Sequence, residues 1–187
     1  MRRRGVIAAL AVGVAALGIV AFALAGGSGA GFNHLTATMS GYQETPAAIS
    51  STGSAEFTAD VSKDGQSISW QLTYGDLEGD VTQSHIHFGQ RGITGGISVF
   101  LCTNLGNGPA GTQTCPQSGT ISGTIHAADV SPNVAATAGA RAQGIGTGEY
   151  DELVRAIDAG KTYANLHTTL WPSGEIRAQL NEGDPHN

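Results

Sequence analysis

Lysine occurs only twice in 187 residues, at Lys63 and Lys161, and charged side chains of all kinds make up 13%. Beyond the opening Arg2-Arg3-Arg4 there is no cluster of basic residues, which excludes the stripe that a nucleic-acid backbone or a heparin-like polymer requires. Cysteine is almost as rare. Cys102 and Cys115 are the whole complement, and without a C-x-x-C spacing they form neither a thioredoxin-type redox pair nor a zinc ribbon. The chain also has no G-x-S-x-G elbow, no glycine loop opening a helix to cradle phosphate, and no H-E-x-x-H, so these catalytic templates find no foothold.

One long apolar run exists, at the start. After the three arginines, Val6 to Ala25 carries no charge and ends in Ala23-Leu24-Ala25, an A-x-A-like cleavage site. Residues 1–30 therefore read as a secretory signal or, given a run long enough to span a bilayer, as an N-terminal membrane anchor. Either way the arginines stay cytoplasmic and the rest is exported. Membrane contact is expected only through this segment. The remaining length suits a single domain, 31–182, followed by a short flexible tail, 183–187, that contains His186. Without its first thirty residues the chain has six basic residues against fifteen acidic ones, a formal charge of −9. In an oxidising compartment Cys102 and Cys115, flanking a Gly/Asn/Pro-rich loop, are expected to form one disulfide.

The exported part alternates apolar and polar residues. Leu35, Ala37 and Met39 share one face, as do Ile68, Trp70, Leu72 and Tyr74, and then Ile97, Val99 and Leu101. Short strands punctuated by Gly, Asn, Asp and Pro predict a mainly β fold, an antiparallel sandwich or barrel. Lys63-Asp64-Gly65 predicts a hairpin turn. A single departure from the two-residue period is "GEYDELVRAIDAGK", where Tyr150, Leu153, Val154 and Ile157 recur at helical spacing and Gly160 stands at C′. One short amphipathic helix near 149–159 follows. The stretch from Ala127 to Gly148 reads as a small-residue loop.

Histidines carry the chemistry that the catalytic templates do not. His85 and His87 flank Ile86, so on a strand both imidazoles point to the same face. His167 lies on another predicted strand with Tyr163 and Asn165 on its face. If these strands pair, three imidazoles converge, and neutral imidazole suits copper or zinc. The alternative is a hydrogen-bonded polar cluster without a metal. His34 and His126 have no sequence partner and read as surface residues. Glu44, ahead of Pro46, caps a turn or approaches the histidines. Glu175 and Arg177 alternate on the last strand, either as a same-face ion pair or as supports for His167.

These segments resemble a known family. "LTATMSGYQETPA", "ISWQLTYGDLEGDVTQSHIHFGQRGITGGISVFLC" and "LVRAIDAGKTYANLHTTLWPSGEIRAQL" look, in that order, like the CHRD domain, named after repeats in chordin, over about residues 33–180. The resemblance implies an immunoglobulin-like β structure. Its motif positions fall here on Glu44, His85, His87, Asn165, His167, Glu175 and Arg177. In chordin the domains belong to an extracellular antagonist of bone morphogenetic proteins, while single-domain bacterial relatives are exported proteins. Residues 106–148 match only loosely, and Pro46-Ala47 stands where the family often has Pro-Pro. His85-Ile86-His87 also resembles the copper strand of Cu/Zn superoxide dismutases, but His126 and Asp129 alone do not make the second, zinc, site of those enzymes.

Two functional expectations follow. The first is an exported, non-enzymatic binding or structural module for an extracellular or envelope partner, with a copper or zinc site at His85, His87 and His167. The second is a copper-dependent oxidoreductase of the dismutase type, with Arg91 and Arg177 as steering charges.

Overall fold

The computed structural model describes residues 32–181, so the apolar N-terminal segment and the tail with His186 lie outside the described residues. Eight strands form one antiparallel sheet: β1 (His34–Ser40), β2 (Ser54–Val61), β3 (Ile68–Gly75), β4 (Val81–Phe88), β5 (Gly96–Thr103), β6 (Gly119–Ile125), β7 (Thr162–Thr168) and β8 (Ile176–Gln179). Their spatial order is β5-β4-β7-β8-β1-β2-β3-β6. The sheet curls until its two edges nearly meet. There the Gln113 side chain donates one N–H to the Leu101 carbonyl on β5 and another to the Ser122 carbonyl on β6, each at 3.1 Å. Of the mainly β sandwich or barrel expected from the alternating pattern, the chain forms a nearly closed barrel.

The alternation also settles which face is inside. Leu35, Ala37, Met39, Ile68, Trp70, Leu72 and Tyr74 are all buried in one apolar core, joined by Ile86, Val99, Leu101, Leu166 and Ile176. Burying a side chain of this kind contributes about 1.5–3 kcal/mol, so these positions dominate the stability of the barrel. The turn after β2 closes as expected, with the Ser62 N–H bonded to the Ser67 carbonyl at 2.9 Å and Gly65 at φ +70°.

The amphipathic segment forms a helix over Tyr150–Asp158, with Tyr150, Leu153, Ala156 and Ile157 buried against the barrel. It stops in a Schellman arrangement. Gly160 N–H bonds to Ile157 O at 2.9 Å and Lys161 N–H to Ala156 O at 2.8 Å, which needs the left-handed φ of +62° that glycine takes without strain. The preceding stretch is more ordered than a loop. It contains a five-residue helix, Ala138–Ala142, and two single 3₁₀ turns, and it buries Val130, Thr137, Ala140 and Ile145. We number the two helices α1 (Ala138–Ala142) and α2 (Tyr150–Asp158). Small residues hid α1 because a short helix packed through backbone needs no apolar stripe: a methyl group on Gly96 would stand 2.0 Å from the Ala140 nitrogen, so α1 lies directly on β5. Cys102 and Cys115 are joined in a disulfide that pins the loop carrying Gln113.

Candidate metal centre

Strand β7 is buried along its whole length, on both faces. Ala164 and Leu166 point into the apolar core, whereas Tyr163, Asn165 and His167 occupy the opposite face. Register carries this second face across the sheet. His85 lies opposite Asn165, which lies opposite Arg177, and His87 lies opposite Tyr163, which lies opposite Gln179. The result is a polar layer on the outside of the barrel wall, on strands whose inner face is greasy.

Loops roof this layer. Arg177 reaches from β8 to the Gln90 carbonyl (3.2 Å), the Ile93 carbonyl (3.1 Å) and the Thr45 hydroxyl (2.8 Å), drawing the segments after β4 and after β1 over the histidines. Gly95 sits where a Cβ would fall 1.8 Å from the Phe88 carbonyl, so only glycine permits the chain to turn so tightly against its own strand. That turn presents the Gly95 N–H to the Tyr163 hydroxyl at 3.0 Å and the Gly95 carbonyl to His87. Beneath this roof His85 is fully buried and His87 and His167 are each 6% exposed.

The three imidazoles do converge. Each offers a ring nitrogen, and these nitrogens all lie within 4.8 Å of one another. His87 donates its Nδ1–H to Gly95 O and His167 donates its Nδ1–H to Pro172 O, both at 3.0 Å, which makes Nε2 the acceptor nitrogen of each ring. His85 Nδ1 stands 3.3 Å from His167 Nε2. Two nitrogens held at zinc distance by one tetrahedral ion stand about 3.3 Å apart, so this pair is already at ligand spacing. Nε2 of His85 and Nε2 of His87 are buried without a hydrogen-bond partner among the described residues. Buried polar atoms are rarely left so; the His87 Nε2 lone pair is one a metal ion can take up, whereas His85 meets His167 through Nδ1 and its Nε2 is the ring's other nitrogen.

Electrostatics fits the same use. Burial drives the His87 imidazole down from 6.5 to about 3 and His167 to about 4, and pushes His85 well below its ordinary value; mutual repulsion within the cluster adds to the shift on His85 and His87. All three rings are therefore neutral near pH 7, the form that binds metal. Their packing is specific. His87 stacks on Tyr163 with ring centroids 4.7 Å apart and planes 3° from parallel, Arg177 lies 3.4 Å from the Tyr163 ring centroid, and Phe100 meets His85 edge-on at 4.5 Å. Strand β5 carries extra residues at Leu101 and Ser98 against β4, bulges that re-aim the wall on either side of His85-Ile86-His87.

The supporting residues divide. Asn165 is in the layer and donates to Glu44 Oε2 at 3.4 Å, and burial raises the Glu44 carboxyl from 4.5 to about 7. Arg177 is in the layer too, tied to loops and buried, so it is a clamp rather than a steering charge at a mouth. Glu175 is elsewhere and does not pair with Arg177. Its carboxylate accepts from the Ser51 and Thr168 hydroxyls at 2.6 and 2.7 Å and from the Glu78 and Gly79 amides, closing the far end of the barrel. His34 bonds Asp60 across β1 and β2 at 2.7 Å on the surface, and His126 is exposed at the start of a 3₁₀ turn. Sequence reasoning placed Tyr163 on the His167 face without a role; its spacing of four from His167 was the available signal. Nothing local marks Gly95, Pro172 or Phe100 as members of the site.

No curated protein and no solved structure is detectably similar to this chain. Residues 35–180, which include every member of the histidine layer and all eight strands except the first residue of β1, match the CHRD domain, and the chain therefore belongs to the CHRD domain family.

Proposed function

We propose that the protein is an exported, non-enzymatic binding module in which His85, His87 and His167 hold a single copper or zinc ion that locks the outer polar layer to its roof. The observation that carries the reading is the convergence of one ring nitrogen from each of three buried imidazoles within 4.8 Å, with His87 Nε2 left without a hydrogen-bond partner among the described residues. Export is supported by the basic and apolar start of the sequence and by the disulfide, since such bonds persist in oxidising compartments. A holding role is favoured over copper-dependent oxidoreductase chemistry by enclosure: a catalytic metal keeps a coordination position open to substrate, while these rings are closed in by the 41–50, 89–95 and 169–174 segments.

The test uses tag-free full chain stripped with chelator and titrated with zinc and with copper by calorimetry. One equivalent is expected to bind, and His87→Ala and His167→Ala are each expected to lose most of the affinity. Equal binding by all three proteins would sink the site. Copper-loaded protein then goes into a superoxide assay, where turnover would overturn the holding role in favour of the enzyme.

A further inference from the structure

A hollow opens beside the histidine layer and borders it at Thr45, Asn165 and Pro172. It encloses about 240 Å³ between the segment after β1 and the turn joining β7 to β8, with Pro46, Ile49, Leu170 and Trp171 as its walls and Glu44 and Gly174 lining it. Pro46 and Leu170 are exposed whereas Glu44 and Gly174 are buried, so the apolar walls form the mouth and the carboxyl group lies at the inner end. Leu170, at 56% exposure, is one of the few large apolar side chains turned to water in the described residues.

Once Glu44 is ionised, the inner end is built from acceptors without donors. Glu44 Oε1 and Asn165 Oδ1 are both buried without a hydrogen-bond partner among the described residues. They are neighbours, because a methyl group on Gly174 would stand 2.6 Å from each of them. The bond from Asn165 Nδ2 to Glu44 Oε2 fixes the amide so that its oxygen, not its nitrogen, is the atom left over. Gly174 has φ +135°, a conformation side chains rarely take, and it lies directly against these two oxygens, where any side chain would collide with them. Unpaired buried acceptors are costly in a finished fold, and here they sit under an apolar funnel.

We propose that this hollow binds a small apolar molecule bearing a primary ammonium group, its hydrocarbon part against Trp171 and Leu170 and its N–H groups on Glu44 and Asn165. Only donors satisfy the pair, and an ammonium group brings three of them together with the charge that matches an ionised carboxylate. A neutral alcohol brings one donor, and a carboxylate brings none and is repelled. A cavity of about 150 Å³ accommodates benzene, so the volume here suits one ring with a short aminoalkyl arm.

The probe is 2-phenylethylamine, titrated into the full chain at pH 8 by calorimetry and by Trp171 fluorescence, with 2-phenylethanol and phenylacetate as controls. One saturable site is expected for the amine, with both controls at least about tenfold weaker, and Glu44→Gln is expected to weaken the amine by about ten- to a hundredfold. Ser173→Trp, which fills the hollow and leaves Glu44 in place, is expected to abolish binding; melting curves check that each variant folds, and this one decides if Glu44→Gln does not. No binding of the amine, equal binding of the alcohol, or amine binding undiminished in a folded variant would each overturn the proposal. None of these outcomes bears on the histidines, which His87→Ala tests separately.

Discussion

Acidifying the metal-free protein from pH 7 to pH 5 is expected to weaken the fold by about 2 kcal/mol through His87, His167 and Glu44 alone. Unfolded histidine takes up its proton near 6.5, whereas folded His87 does so near 3 and folded His167 near 4. Between those values the unfolded chain binds more protons than the native one, so stability falls as pH falls. At pH 5 each ring costs about 2 kcal/mol, and His85, shifted in the same direction, adds to the loss. Glu44 works the other way. Its carboxyl is raised from 4.5 to about 7, so the native state keeps a proton that the unfolded state has lost, and acidification over the same interval returns about 2 kcal/mol. Guanidinium unfolding followed by the fluorescence of Trp70 and Trp171, at pH 7, 6 and 5 with chelator present, measures the balance. Glu44→Gln removes the opposing contribution and should roughly double the loss. Saturation with zinc should move the acid transition to lower pH, because a coordinated imidazole must shed its metal before it can protonate. Stability that stays flat between pH 7 and 5 in both proteins would refute the claim that these rings are buried and neutral.

Three further outcomes are expected. Replacing both Cys102 and Cys115 by serine should cost about 3 kcal/mol in urea unfolding, the amount expected for a loop of this size, and should raise hydrogen exchange at the β5 and β6 edges that Gln113 bridges. Gly95→Ala should destabilise by about 1–3 kcal/mol, since its Cβ collides with the Phe88 carbonyl, and should also lower zinc affinity by displacing the carbonyl that orients His87; a melting curve and a zinc titration check the two parts. Arg177→Lys keeps the charge but gives up the fork that holds Gln90, Ile93 and Thr45 together, and should show as faster amide exchange across residues 89–95 with the barrel strands unchanged.

The barrel was legible because β1, β2 and β3 are exposed on one side and apolar on the other, and α2 breaks the period with a helical apolar stripe and a terminating glycine. The meeting of the three histidines was legible only as a condition on strand pairing, which β4 and β7 satisfy. What lay beyond reach has a common cause. The buried layer on β7 is polar, so no apolar pattern announced that Tyr163, Asn165 and His167 are covered, and the cover comes from loops whose contacts are carbonyl groups and close backbone approaches. Carbonyls of Gly95 and Pro172 belong to every sequence equally. Glu175, by its place on the last strand, reads in sequence as either an ion-pair partner of Arg177 or a support for His167. Its true partners are hydroxyls and amides distant along the chain, brought to it by closure of the sheet.

Alternation along β7 places the solvent-excluded apolar interior and the imidazole cluster back to back on one thin wall, separated by a single layer of backbone. Side chains on the two sides meet each other only through that backbone. A domain built this way can gain, lose or re-specify what its outer surface holds while the same cylinder beneath keeps folding.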